Sequence, residues 1–192
     1  AAAQGAFAAE IAPVTAKTRK GEVVIDKDET PFTLDVSKIP TLKPAFGKNG
    51  TVTAASSSSI SDGAAALVMT RESVAAKRGL KPIARVLGYA SFAREPEWFT
   101  LAPVGAIQKV LKQLGWKASD ADLYEVNEAF AAVTMAAIKD LGLDPAKVNV
   151  NGGAIALGHP LGGSGCILTT KAVHELVRAD KSTALITMCC GG

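Results

Sequence analysis

From Pro82 onward the apolar positions of this chain fall into a regular alternation of short runs and helical stripes. Ile83 to Phe92 reads as a strand. Pro103, Ile107, Val110, Leu111 and Leu114 then mark one helix face, with proline at its start and Gly115 at its end, where each residue is best tolerated. Leu123 to Val126 reads as the next strand, and Phe130, Val133, Ala137, Ile138 and Leu141 stripe the next helix, closed by Gly142. Val148 to Val150 reads as a short strand and Leu168, Ala172, Leu176 and Val177 as a third helical stripe. Thr183 to Met188 is a nearly continuous apolar run of the kind buried on both faces of a sheet. Strands alternating with helices predict an α/β layered fold.

The earlier part of the chain is less regular. Ala1 to Glu10 reads as the end of an Ala-rich helix, and the stretch to Pro44 as loop with one apolar run at Val23 to Ile25. Thr51 to Ala54 reads as a strand and Ala64 to Met69 as a buried strand or helix. The serines between them, Ser56 to Ser59, form a polar loop too short to serve as a linker between domains.

Ligands of open α/β sheets bind beyond the carboxyl ends of strands, so the residues that follow each strand carry the candidate chemistry. Three such places are Asn127-Glu128-Ala129-Phe130, the segment from Asn151 through His159 to Gly165, and Cys189-Cys190-Gly191-Gly192. His159 sits on a Pro and Gly turn that runs into a helix amino end, whose free N–H groups stabilise thiolates and oxyanions. The turn lacks the Gly-Lys-Ser/Thr ending of a phosphate loop. Cys189 follows an apolar strand and precedes two glycines, so its thiol can face a cleft. A thiol beside a positive helix end or an imidazole titrates near working pH, which suits a general acid/base. Taken alone, Cys189 reads more readily as a buried inert thiol, the commoner fate of a cysteine after an apolar strand, and Cys166 and Cys190 keep that reading. Asn127 reads either as a helix N-cap or as a group fixing a water, and Glu128 as a favourable charge in a first helical turn.

Composition narrows the class without choosing a function. Charged residues make up 20% of the 192, the formal net charge is +3, and no long basic block occurs, so a nucleic-acid partner is not expected. No apolar stretch approaches the roughly 18 residues of a membrane span, so no membrane association is expected. The three cysteines show no disulfide spacing, which favours a reducing compartment, and no paired Cys or His spacing suggests a metal. A cytoplasmic location follows, with mitochondrial or peroxisomal alternatives open. The chain opens on Ala1-Ala2-Ala3-Gln4 with no basic-then-apolar leader, so a preceding segment is expected.

Together, Asn127-Glu128-Ala129-Phe130-Ala131, Gly152-Gly153-Ala154-Ile155-Ala156-Leu157-Gly158-His159-Pro160 and Met188-Cys189-Cys190-Gly191-Gly192 resemble the three C-terminal active-site motifs of the thiolase family, with intervals of about thirty residues that also match. The resemblance extends upstream through Arg19-Lys20-Gly21, Pro44-Ala45-Phe46, Thr51-Val52-Thr53-Ala54 and Asp62-Gly63-Ala64-Ala65-Ala66, and covers essentially the whole chain. It implies a layered α-β-α fold and the C-terminal half of a thiolase. Residues 1–61 would belong to the loop domain that covers coenzyme A, 62–82 would complete the N-terminal core, and 83–192 would form the C-terminal domain, ending before its last strand.

The implied reaction is reversible Claisen condensation of two acetyl-CoA to acetoacetyl-CoA plus CoA. The alternatives are a longer-chain 3-oxoacyl-CoA thiolase and a non-catalytic CoA-binding thiolase-like subunit; a hydroxymethylglutaryl-type condensing enzyme fits the Cys-Gly-Gly ending poorly. By the same resemblance, His159 would activate a nucleophilic cysteine in the absent N-terminal half, and Asn127 would hold a water at the thioester oxygen. Cys189 would move the α-proton, and the Gly191 N–H would complete an oxyanion hole. Ser58 would hold the pantetheine arm, while Ala54, Phe46, Ala129 and Phe130 would line the coenzyme A tunnel. Coenzyme A and acyl-CoA would be substrates, with no permanently bound cofactor. A homodimer or homotetramer would be the assembly. Val126 stands where alanine is commoner in the family, and Cys190 where isoleucine is.

Overall fold

A computed structural model of the chain describes residues 1–189. In chain order the elements are strands β1 (Val14–Thr18) and β2 (Gly21–Ile25), the single-turn helix α1 (Thr30–Thr33), and helices α2 (Glu72–Lys77) and α3 (Ala102–Leu114). They are followed by strand β3 (Leu123–Val126), helix α4 (Ala131–Leu141), the single turn α5 (Ala154–Leu157), helix α6 (Ser164–Arg178) and strand β4 (Ala184–Thr187). Strands β1 and β2 form an antiparallel hairpin, so Val23 to Ile25 is half of a ladder within a region that reads as loop. Strands β3 and β4 pair in parallel, Leu123 with Ala184 through Val126 with Thr187, and Val148 adds a single parallel bridge to Tyr124.

The core is built where the sequence alternation is clearest. Every residue of β3 is buried, with Tyr124 2% and Val126 1% exposed. Helix α3 lays Val104, Ile107 and Leu111 against this strand pair, and α4 contributes Val133 and Ala137. Both helices end on a glycine in the left-handed region, Gly115 at φ 68° and Gly142 at φ 61°, a conformation that costs a residue with a Cβ. Parallel pairing puts the carboxyl ends of β3 and β4 side by side, and the Asn127 N–H donates to Thr187 O at 2.9 Å. The segments after both strands therefore leave the sheet at one rim.

Several expected elements are absent among the described residues. Ile83 to Phe92 and Ala64 to Met69 form no helix or ladder, and Ile83, Val86, Tyr89 and Val68 are exposed, Val68 at 99%. Apolar and β-branched runs become strands only when a partner supplies ladder bonds and a packing face, and none is present for these two. Thr51 to Ala54 is likewise not a strand: Thr53 caps a 3-10 turn at Ala54–Ser56. Ala1 to Glu10 holds one 3-10 turn, Ala2–Gln4, and no α-helix. Phe130 precedes α4 as its N-cap, and Val177 is 72% exposed, outside the buried stripe of α6.

Candidate active site

Asn127, His159 and Ser164 meet behind the rim. Asn127 follows β3 and is 1% exposed; His159 lies on the turn between α5 and α6 and is 8% exposed; Ser164 is the first residue of α6 and is 4% exposed. Asn127 is not a helix N-cap, since α4 begins four residues later. Its amide Nδ2 lies 3.3 Å from His159 Nε2, and His159 Nδ1 lies 2.6 Å from Ser164 Oγ. The Ser164 hydroxyl donates to Pro160 O at 2.9 Å. With the hydroxyl proton assigned to Pro160 O, Ser164 Oγ is the acceptor from His159 Nδ1–H. Nε2 then bears the lone pair that receives the Asn127 amide proton. Burial also lowers the His159 pKa from its ordinary value, so the imidazole is neutral at pH 7. The cluster thus presents a neutral imidazole of fixed tautomer whose Nε2 can take up and return a proton.

Gly158, at φ 96°, makes the turn into His159 possible, and a Cβ there would come 2.3 Å from Ser61 Oγ. The serine run lies across both motifs. Ser58 N–H donates to Ala129 O at 3.1 Å, the Ser58 hydroxyl reaches the same oxygen at 3.3 Å, and His159 N–H donates to Ser59 O at 3.0 Å. Ser58 and Ala129 are thereby brought to the site. Phe130 packs on the core and meets Phe99 edge-to-face at 6.4 Å. Ala54 is exposed in the 3-10 turn Ala54–Ser56, and Phe46 lies on exposed loop at 68% exposure.

Cys189 is half-buried two residues beyond β4 and packs against the core. Its neighbour Met188 lies close to Gly165 in the first turn of α6. Cys189 therefore leaves the same rim as Asn127, beside the helix that begins with Ser164. Gly191 and Cys190 lie outside the described residues.

Glu128 departs from its expected part as a first-turn helix charge. It precedes α4, and its carboxylate accepts from Ile155 N–H at 3.1 Å and from Asn149 Nδ2 at 3.1 Å. Asn149 in turn brackets Val126, accepting from its N–H at 2.8 Å and donating to its carbonyl at 2.9 Å. These contacts tie the segment leading to His159 onto the end of β3. Sequence reasoning also missed Ser164, although a hydroxyl residue opening a helix five positions after a histidine was there to be noticed.

A second polar group lies deeper. Lys171 Nζ donates to Glu125 Oε2 at 2.9 Å and to Gly152 O at 2.8 Å, with both side chains of the pair buried. Burial raises the Glu125 pKa, opposed by the Lys171 ammonium. Glu10 reaches the same region: burial pushes its carboxyl up to about 7, Lys171 opposes the rise, and Glu125, Asp28 and Glu175 add to it.

Comparison with known proteins places this arrangement. Residues 1–73 match the family model of the thiolase N-terminal domain, and residues 80–192 that of the thiolase C-terminal domain. The chain belongs to the thiolase family. An acetyl-CoA acetyltransferase of Paracoccus denitrificans is 47% identical over 189 residues, covering 98% of this chain and 48% of the relative. Among solved structures, the Bacillus anthracis acetyl-CoA acetyltransferase matches at TM-score 0.94 and 43% identity, over 99% of this chain and 48% of that one. Human mitochondrial 3-ketoacyl-CoA thiolase matches at TM-score 0.88 and 39% identity, with the same coverage of 99% and 48%. This thiolase chain spans about half the length of the relatives it matches.

Proposed function

We propose that this chain is the C-terminal half of an acetyl-CoA acetyltransferase, which joins two acetyl-CoA into acetoacetyl-CoA and CoA and runs the reverse thiolysis. The observation that carries the reading is the Asn127–His159–Ser164 cluster, with Cys189 on the same sheet rim. In this scheme His159 Nε2 takes the proton of a nucleophilic cysteine supplied by the other half of the enzyme; that cysteine attacks the first acetyl-CoA, the bond from its carbonyl carbon to the CoA sulfur breaks, CoA leaves as its thiolate, and the acetyl group stays on the cysteine as a thioester. Splitting the reaction into two acyl transfers lowers each barrier. The proton now on Nε2 makes His159 a donor to the thioester oxygen of the second acetyl-CoA, together with a water held by Asn127.

Cys189 takes the α-proton of that second acetyl-CoA. The carbanion forms a C–C bond to the acetyl carbonyl carbon, and the C–S bond to the nucleophilic cysteine breaks, returning its thiolate. In thiolysis Cys189 gives its proton back to the departing carbon. The Gly191 N–H contributes to the hole for the oxyanion of the acyl-enzyme. Ser58 holds the pantetheine arm, and Ala129, Phe130, Ala54 and Phe46 border the coenzyme A path. Residues 1–61, 62–82 and 83–192 correspond to loop-domain, N-terminal-core and C-terminal-core segments, in a homo-oligomeric enzyme.

Thiolysis of acetoacetyl-CoA by the complete enzyme, compared with that of longer 3-oxoacyl-CoAs, tests the assignment. Turnover of the four-carbon substrate is expected; exclusive use of longer chains would reject it, as would absence of thiolysis altogether.

A further inference from the structure

Helix α6 turns one stripe inward: Ser164, Leu168, Lys171 and Glu175, spaced so that they stack along a single face. All four are buried, between 4% and 6% exposed, yet three are polar, which a buried stripe ordinarily excludes. Each polar member ends on the stretch from Asn151 to His159. Ser164 Oγ meets His159 Nδ1 at 2.6 Å, Lys171 Nζ holds Gly152 O at 2.8 Å, and Glu175 accepts from Asn151 Nδ2 at 2.6 Å. Lys171 has a further reach, to Glu125 in β3 at 2.9 Å, two residues before Asn127. One ammonium therefore joins the strand that carries Asn127 to the loop that carries His159.

Stability alone is a weak reason for such a pair. Two buried charges recover their lost hydration only through excellent geometry, and apolar residues of like volume commonly do as well. Packing between these segments leaves a gap. A cavity of about 30 Å³, enough for one water, lies between these segments, lined by Asn127, Gly158, Ser164 and Lys171 among others. Where apolar contact leaves a gap, directional bonds must set the spacing. Gly152, at φ 87°, sits in a turn whose carbonyl receives one of those bonds.

We propose that Lys171 is a positioning residue that sets the spacing of Asn127 and His159 by bonding Glu125 and the Gly152 carbonyl at once. It rests on the reading of Asn127 and His159 as catalytic groups, and acts only through them. The Lys171 ammonium acts on the carboxyl of Glu125 from β3 and on those of Glu10 and Asp28 from the N-terminal segment.

The test uses the complete enzyme with Lys171→Met and with Lys171→Met/Glu125→Gln, which removes both charges of the Lys171–Glu125 pair. Two readouts are needed: kcat and KM for acetoacetyl-CoA thiolysis, and hydrogen exchange of the amides at 152–159 against those of β3 and β4. Lys171→Met should lower kcat about 10- to 100-fold with KM changed less than about threefold, the scale of a small misplacement of catalytic groups. Its 152–159 amides should exchange faster while the strand amides keep their protection. The double variant should regain thermal stability but not kcat, since Gly152 O still lacks its donor. The proposal is overturned if exchange at 152–159 is unchanged in both variants, or if the double variant returns to within about threefold of the parent kcat, which would make Lys171 only a counter-ion to Glu125. An inactive parent would reject the proposed reaction, while the exchange measurement would still decide the positioning role.

Discussion

Replacing Ser164 by alanine isolates the contact that fixes the His159 tautomer. The hydroxyl is buried, accepts from Nδ1–H at 2.6 Å and donates to Pro160 O. Its loss leaves Pro160 O with two backbone donors, the N–H groups of Gly163 and Ser164, both at 2.8 Å, so the turn keeps its shape. The cost falls on His159. A buried N–H without an acceptor costs about 1–3 kcal/mol. The ring can escape that cost by moving its proton to Nε2, where it would face the Asn127 amide and could no longer take a proton from a thiol. The productive tautomer loses that much of its advantage, against the preference that the Asn127 amide retains for it, which sets the largest fall in kcat at about 5- to 150-fold. Steady-state thiolysis of acetoacetyl-CoA by the complete enzyme reads this directly, with KM near the parent value. Ser164→Thr keeps a hydroxyl and should recover most of the rate. A Ser164→Ala enzyme within about twofold of the parent would refute the tautomer argument, as would a folded Ser164→Thr enzyme as slow as the alanine variant.

Two further outcomes follow from the groups around the cluster. A Cβ on Gly153 would come 2.3 Å from the Glu128 carboxyl carbon, so Gly153→Ala must expel the carboxylate that holds Ile155 N–H and Asn149. Gly153→Ala and Glu128→Ala should each cost about 1–3 kcal/mol in denaturant unfolding, and the double variant far less than their sum; strict additivity would show that they do not act on one contact. Glu10 holds its proton up to about pH 7 in the fold but only to about 4.5 when unfolded, so the folded state binds the extra proton between those values and its contribution to stability is lost as pH rises through them. Melting temperatures across this window should decline less with rising pH for Glu10→Gln than for the parent, and an unchanged slope would place Glu10 in water.

The elements legible in the sequence are those that close their own packing within the chain. Helices α3 and α4 and strands β3 and β4 bury apolar stripes against one another, and Gly115 and Gly142 end their helices where expected. The runs 64–69 and 83–92 carry equally strand-like residues, but strand formation depends on a partner that composition cannot supply. At the site, Asn127, His159 and Cys189 were marked by their places after strands and by family motifs. The groups that orient them were not, because their roles depend on contacts across the fold. Glu128 looks like a helix-dipole charge until Ile155 is brought to it, and Lys171 looks like a surface lysine until its place on the buried face of α6 is seen.

The proposed reaction divides its labour between two thiols. In the complete enzyme, Cys189→Ala should abolish condensation of acetyl-CoA while the nucleophilic cysteine of the other half still accepts an acetyl group, seen as a mass increase of one acetyl on that cysteine. Condensation persisting in the variant would contradict the role given to Cys189, and loss of acetylation in a folded variant would contradict the assignment of the two steps to separate thiols.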